Sequence, residues 1–216
     1  QALQNMTSAT SADTYNVGVG YNAGLTITSG VKNTLLGGLS GDALTAGGEN
    51  LALGYDALGA DTQGSHSVAV GPSALRTQNF STATDAFNTA VGSFAMYANT
   101  TGAENTAVGR AALQANTTAS ANTAVGTKAL LVNTTGTGLC AIGRQALIAN
   151  TTANFNTAVG AEAMDTNTTG DSNTAVGYAA MDANTTGNYH TAVGRGALAS
   201  TTTATNNTGI GYNALT

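Results

Sequence analysis

The chain has 216 residues, of which Ala, Thr, Gly and Asn make up 129, and only 8% of the residues are charged. A formal net charge of −5 offers no positive field to phosphates, which excludes a basic nucleic-acid binder. The single cysteine excludes a disulfide framework, and no apolar run approaches the ~18 residues that a membrane span needs. Two classes remain, a low-complexity polar chain and a regular repeat that needs little core per residue.

The amino-terminal segment already contains part of a repeat. The stretch from Ala2 reads ALQNMTSATSADTYNVGVG and aligns without gaps on ALRTQNFSTATDAFNTAVG from Ala74. We therefore interpret residues 1–15 as the end of a 21-residue variant of the repeat unit.

Residues 16–216 form twelve units with a period of 17. We number the residues of each unit from its first residue as positions one to seventeen. The units begin at Asn16, Asn33, Asn50, Ser67, Asn88, Asn105, Asn122, Leu139, Asn156, Asn173, His190 and Asn207. The fourth unit carries a four-residue insertion and the last is incomplete. Residues 1–216 are thus predicted to be a single repeat solenoid, which we expect to be a fragment of a longer fibre.

The pattern within a unit predicts an all-β fold, a parallel β-solenoid or β-roll built from 17-residue coils. Position five is Gly in all twelve units, which indicates a turn with unusual backbone geometry. We expect a strand before this glycine, a turn at positions five to seven, a second strand near positions eight to ten and a Thr-rich return.

The same pattern suggests which rows of residues fill the core. The aliphatic residues at position four and the Leu or Met residues at position nine are predicted to point inward. The Ala residues at position three are then expected to point outward, because successive strand residues alternate. An outward Ala row indicates packing against further copies of the chain, so we expect a homotrimer. Asn at position one is expected to form an amide ladder in which each side chain donates to the next.

The repeat NTAVG-x-x-AL-x-x-NTTG resembles repeats of bacteriophage tail fibres and of related phage-like adhesins. The stretch SHSVAVGPSAL from Ser65 is similar to the head repeat of trimeric autotransporter adhesins, a left-handed parallel β-roll. The resemblance covers nearly the whole chain. It implies a homotrimeric fibre shaft or head located on a virion or on a cell surface.

The corner at positions six and seven varies between units, so we expect partner specificity there. Tyr178, Arg195 and Tyr212 share position six in three successive units, and aromatic faces with polar neighbours suit a host glycan or lipopolysaccharide. These three residues are our candidate receptor contact. Self-packing of Arg195 between the two tyrosine rings is the alternative.

The residues that could carry catalysis are scattered. His66 and His190 lie about seven units apart, and His190 is interpreted as a substitution in the Asn row. Cys140 is expected to be a small buried thiol, since no base is close to it in sequence. Asp165 and Asp182 share position ten in adjacent units, and either hold a cation or are two solvated acids. We predict no enzyme, no catalytic residue, no cofactor and no metal site.

These observations predict a structural segment of a trimeric viral tail fibre or surface adhesin. The segment would act as a rigid spacer, with weak contact to a host receptor or glycan. Its partners would be other copies of the chain, without nucleic acid or membrane insertion. The alternative is an ice-binding β-solenoid that uses stacked Thr rows, although the adjacent threonines of the Asn-Thr-Thr segment would point to opposite faces of a strand.

Overall fold

A computed structural model describes residues 1–5 and 13–216, and shows a parallel β-solenoid in which each 17-residue coil contributes one short strand. No helix occurs within these residues, and consequently none of a length and apolarity that would cross a membrane. The all-β, parallel solenoid predicted from the repeat is confirmed.

Twelve three-residue strands form one sheet, and two two-residue strands form a second. The twelve long strands are β1 (Val17–Val19), β2 (Thr34–Leu36), β3 (Leu51–Leu53), β5 (Val68–Val70), β7 (Thr89–Val91), β8 (Thr106–Val108), β9 (Thr123–Val125), β10 (Cys140–Ile142), β11 (Thr157–Val159), β12 (Thr174–Val176), β13 (Thr191–Val193) and β14 (Thr208–Ile210). The short pair is β4 (Gly64–Ser65) with β6 (Thr84–Asp85). All long strands cover positions two to four.

The register of the large sheet reproduces the sequence period. Most neighbouring strands pair in parallel with an offset of 17 residues, as in Ala107 with Ala124. The pair β5 and β7 is offset by 21, since Ala69 lies beside Ala90. The four extra residues therefore lie between these strands, in the segment that contains β6, and β6 pairs with β4 of the preceding coil.

The predicted second strand at positions eight to ten does not form. Positions six to eleven are turns, because the backbone enters the left-handed region at positions seven and nine. A third residue in this region, at position seventeen, forms a separate corner before the next strand. In the coil that begins at Asn105, these residues are Ala111 (φ 57°), Leu113 (φ 52°) and Ala121 (φ 59°). A non-glycine residue rarely adopts such a conformation. Here each corner amide donates to a carbonyl of an adjacent coil, as Leu113 N does to Ala129 O at 2.9 Å.

The glycine at position five is required by both its backbone conformation and its neighbour. Gly126 has a φ of 134°, a value that L side chains rarely adopt. A Cβ on Gly126 would also lie 2.6 Å from the carbonyl carbon of Gly143 in the next coil. The prediction that position five needs glycine for backbone reasons is confirmed.

The core is narrow and consists of three apolar rows and two polar rows. Ala at positions three and eight and Leu or Met at position nine are fully buried in most coils, together with polar residues at positions one and twelve. Examples of the apolar rows in successive coils are Ala107, Ala112, Leu113, Ala124, Ala129, Leu130, Ala141, Ala146 and Leu147. Small residues on two sides and one large row give close packing inside a coil of only 17 residues.

The amino-terminal segment is described in part. Leu3 packs against the core and has a φ of 50°, like the position-nine residues. Tyr15 has a φ of 52°, close to the 47° of Phe87, with which it aligns in the repeat. The assignment of residues 1–15 to the end of a 21-residue unit stays a prediction, and its residues 6–12 lie outside the described residues.

Candidate functional surfaces

The outer surface of the large sheet carries the residues at positions two and four, and we call it the sheet face. The prediction that position four points inward and position three outward is wrong. Ala124 at position three is fully buried, whereas Ile142 at position four is 39% exposed and Val176 is 36% exposed. The interior already holds two Ala rows and a Leu or Met row, and it has no volume for a row of valines.

The sheet face carries no charged residue along the described strands. Position four is Val, Leu or Ile in all twelve long strands, and position two is Thr, Val, Leu or Cys. The position-four residue is exposed in eight of these strands and half-buried in the other four. The predicted outward Ala row is therefore wrong, since the outward row consists of the aliphatic residues of position four, and assembly stays a prediction.

Asn at position one cross-links coils through the backbone. Asn122 Nδ2 donates to Gly136 O in its own coil at 2.9 Å, and its Oδ1 accepts from Leu139 N in the next coil at 2.9 Å. The predicted ladder, in which one amide donates to the next at this position, is therefore wrong. The side chain satisfies two buried backbone groups instead, which would each cost about 1–3 kcal/mol if unpaired.

The amide ladder occurs at position twelve, which the sequence argument missed. Six asparagines stack in successive coils, and Nδ2 of each of the last five donates to Oδ1 of the preceding one at 2.8–3.3 Å. The members are Asn99, Asn116, Asn133, Asn150, Asn167 and Asn184. The signal was available, because Asn-Thr-Thr begins at position twelve in six consecutive units.

His190 reproduces both bonds of the asparagine that it replaces. Its Nε2 lies 2.7 Å from Ala204 O, and its Nδ1 accepts from Asn207 N at 3.1 Å. These partners assign the neutral tautomer with the proton on Nε2. The interpretation of His190 as a substitution within the Asn row is confirmed.

His66 lies on the outside of the solenoid between two carboxylates. Its Nε2 is 3.1 Å from Glu49 and its Nδ1 is 3.0 Å from Asp85. Lys32 continues this line, since its Nζ is 2.9 Å from Glu49. The Lys32 ammonium is the main cause that holds the pKa of Glu49 below its ordinary value. The histidine therefore takes part in a surface charge network.

Cys140 occupies position two and is half-buried on the sheet face. The expectation of a buried thiol is therefore wrong, for the same reason that position four was misplaced. Positions two and four share one face of the strand, and that face points outward.

The candidate receptor residues contact one another. The guanidinium carbon of Arg195 lies 5.7 Å from the ring centre of Tyr178 and 5.4 Å from that of Tyr212, and Arg195 donates to the Tyr212 hydroxyl at 3.1 Å. A hydrogen bond to Glu162 raises the pKa of Tyr178, and Arg144 pairs with the same carboxylate. We call Tyr178, Arg195 and Tyr212 the tyrosine–arginine stack. Its contact with a receptor stays a prediction.

Asp165 and Asp182 share position ten of adjacent coils, and their carboxylates are close enough to interact. Burial, followed by the charges of Asp182 and Glu162, raises the pKa of Asp165. Among residues 1–5 and 13–216, no group of three or more His, Cys, Asp or Glu residues is arranged to hold a metal ion.

Comparisons with known proteins do not assign the chain to a family. No family model matches it, and no match was found among curated proteins or among solved structures.

Proposed function

We propose that the chain is a structural segment of a trimeric viral tail fibre or surface adhesin, in which it acts as a rigid spacer on a virion or cell surface. The observation that supports this most is the sheet face, an uncharged outer surface with an aliphatic residue at position four of all twelve long strands, exposed in eight of them and half-buried in four. A spacer must also be stiff, and the hydrogen bonds between coils provide this stiffness.

Stiffness follows from the way neighbouring coils are joined. In a solenoid, each coil is stabilised by its nearest neighbours. Here the backbone bonds are supplemented by side-chain bonds at positions one, twelve and thirteen; Thr117 Oγ1, for example, donates to Thr134 O at 3.1 Å. Within the described residues, every buried polar side-chain atom has a hydrogen-bond partner. Bending the rod would break many such bonds at once.

A second copy of the chain is the partner that fits the sheet face. The face repeats with the spacing of parallel strands, about 4.8 Å, so only a surface with the same repeat matches it over its full length. Burying a half-exposed valine side chain contributes about 1 kcal/mol, and this gain recurs at every coil. Three copies with their sheet faces toward a common axis would cover all three faces, in line with the resemblance to trimeric adhesin heads.

Sedimentation of the isolated chain tests the assembly. We expect a particle of three times the 21.2 kDa of one chain. Val108→Asp, Val125→Asp and Val159→Asp together place charges on the sheet face and should give a folded monomer. The matched control is Thr118→Asp, Thr135→Asp and Thr169→Asp, three exposed residues of the same coils at position fourteen, which should leave the trimer intact. A folded monomer of the unmodified chain would contradict the proposal.

The single cysteine provides an independent probe of the same contact. Cys140 lies on the sheet face, so assembly should cover its thiol. A thiol reagent should then react slowly with the native chain and at least tenfold faster with the triple aspartate variant. Equal rates would show that the sheet face is open to solvent.

Binding of ice is a second candidate, favoured by the composition of the sheet face. Eight of the twelve long strands carry Thr at position two with an aliphatic residue at position four. A row of hydroxyl and methyl groups therefore follows the strands at position two, outside the Asn-Thr-Thr segment. Ice binding needs this face open, so it requires a chain that sediments as a monomer, in which Thr106→Val, Thr123→Val and Thr157→Val should reduce freezing hysteresis without loss of the fold. No hysteresis in the unmodified chain would refute this second candidate.

A further inference from the structure

A surface cleft forms where three adjacent coils differ from the rest of the repeat. It encloses about 350 Å³ and is lined by Leu39, Asp42, Tyr55, Asp56, Gly59 and Arg76 among others. Position ten holds Asp42, Gly59 and Arg76 in these coils, so the middle coil has no side chain there. Later coils place Tyr97, Gln114 and Leu131 at this position. The missing side chain of Gly59 opens the cleft.

Gly59 also determines how the cleft wall is built. A Cβ on Gly59 would meet Oδ1 of Asp56, so the glycine allows this carboxylate to lie over the turn. Asp56 pairs with the guanidinium of Arg76, which also donates to the Tyr97 hydroxyl at 2.8 Å. The wall therefore presents a fixed carboxylate and a fixed guanidinium on one side of the cleft.

Asp42 and Tyr55 provide the groups that are free to bind. Tyr55 is 60% exposed, and none of the described residues forms a side-chain hydrogen bond with it or stacks a cation on its ring. Asp42 is half-buried, and its carboxylate accepts from the backbone amides of Asp42 and Ala43 while no described side chain donates to it. Burial, together with the charge of Asp56, raises the pKa of Asp42. The tyrosine–arginine stack differs in this respect, because its polar groups are already bonded to one another.

We propose that this cleft, which we call the Asp42 cleft, binds a neutral sugar residue. One flat face of a pyranose ring would pack on Tyr55, while neighbouring hydroxyls donate to Asp42 and accept from Arg76. The size falls in the range of small-molecule sites, which combine an apolar wall with a few polar groups. Two carboxylates against one guanidinium leave the cleft negative, which disfavours anionic sugars. The ligand class, a host-surface glycan, rests on the proposed role of the chain as a segment of a viral fibre or surface adhesin.

Saturation-transfer NMR and titration with methyl glycosides test the Asp42 cleft. The neutral probes are the methyl glycosides of glucose, galactose, mannose and N-acetylglucosamine, with glucuronate as anionic probe and glucosamine as cationic probe. At least one neutral sugar should bind more tightly than glucuronate. Tyr55→Ala and Asp42→Asn should each weaken it tenfold or more. Tyr178→Ala, an exposed tyrosine at the same position of another coil, should leave its affinity unchanged.

The possible outcomes separate the two proposals. Absence of transfer to every neutral sugar, or equal affinity of the Tyr55→Ala variant, would overturn the Asp42 cleft whatever the state of assembly. Binding of glucosamine alone would assign the cleft to an amine and overturn the neutral-sugar proposal. Sugar binding by a chain that sediments as a monomer would support the cleft and contradict the fibre. Circular dichroism checks the fold of each variant. If Tyr55→Ala loses structure, Asp42→Asn still tests the site.

Discussion

The coils that begin at Asn16 and Asn33 and the coils from Asn88 to Asn173 share one backbone path but fill it differently. In the later coils, position nine is Leu or Met and position twelve is Asn. In the two early coils, position nine is glycine, while Ile27 and Leu44 occupy position twelve. The large apolar row has therefore moved from one side of the core to the other.

The contacts around the early glycines show how this exchange is accommodated. A Cβ on Gly41 would lie 2.9 Å from both Leu35 and Leu44, so the space that position nine leaves is occupied by positions three and twelve. Core volume is preserved although its source changes, as tolerated cores require. The comparison teaches that the coil path is determined by the corners, whereas the core rows are interchangeable.

The two regions meet at Asp61 and Gln78. Gln78 Oε1 accepts from Asn88 Nδ2 at 2.8 Å and from Asn99 at 3.5 Å, and Gln78 Nε2 donates to Asp61 Oδ2 at 2.7 Å. Asp61 Oδ1 accepts from the backbone amides of Gly64 and Phe80. A carboxylate that only accepts thus ends the amide ladder, and apolar Leu44 occupies the same position in the preceding coil.

The largest effect should come from the corner that both regions share. Gly126→Val in the amide region and Gly37→Val in the apolar region both place a Cβ 2.6 Å from a carbonyl carbon of the next coil, at a backbone conformation that valine avoids. Each should lower the free energy of unfolding by more than about 3 kcal/mol, measured by urea denaturation. Thr127→Val, exposed beside Gly126, should change it by less than about 0.5 kcal/mol. Similar effects at Gly126 and Thr127 would refute the shared-corner argument.

A change at position twelve should separate the regions. Asn133→Leu removes the donor to Asn116 Oδ1 and to Gly136 O, and also the acceptor for Asn150 Nδ2. Leaving these buried groups unpaired should cost about 3 kcal/mol in the free energy of unfolding. Leu44→Met at the same position of the apolar region should cost less than about 1.5 kcal/mol. The melting temperature of each variant is compared with that of the unmodified chain. Equal losses in the two variants would mean that the amide ladder adds no stability beyond packing.

The direction of the ladder provides a smaller but more specific prediction. Asp61→Asn turns an acceptor facing Gln78 Nε2 into a donor, at a cost of about 2 kcal/mol in the free energy of unfolding. Adding Gln78→Glu restores an acceptor between the newly introduced amide and the later asparagines, so the double variant should recover more than half of the loss. Additive losses in this double-mutant cycle would show that ladder polarity is unimportant.

The smallest effect concerns the acidic pair of the later coils. Because the folded-state pKa of Asp165 lies above its ordinary value, the charged carboxyl costs stability at neutral pH. That cost disappears as the pH falls and the folded protein takes up the proton. Asp165→Asn should therefore raise the melting temperature slightly at pH 7 and leave it unchanged in acid, well below the ordinary value of an aspartate. Asp171→Asn, which removes a carboxylate outside this pair, serves as the control.

Much of the fold could be predicted from the period alone. Strand positions, the parallel register, the four-residue insertion and the glycine row all follow from residues that recur every 17 positions. The inward and outward faces of the strand could not be predicted this way. In a three-residue strand, Ala and Val are both apolar, and the choice depends on the width of an interior that residues from distant positions fill.

The candidate surfaces were predicted only in part. The line of Tyr178, Arg195 and Tyr212 was found from its spacing, but its internal bonding depends on rotamers that spacing does not determine. The Asp42 cleft was missed, because it arises from an absent side chain at Gly59. The absence of a side chain at position ten is recognised only when the three neighbouring coils are compared in the structure.

The left-handed corners have a consequence for how such a rod comes into being. An isolated segment has little tendency to place three of seventeen residues in this region, since each costs roughly 1–2 kcal/mol for a non-glycine residue. The corner bonds that offset this cost go to an adjacent coil, so a coil forms readily only against one that already exists. Folding is then a nucleated process that spreads coil by coil, and a preformed coil in the correct register acts as a seed.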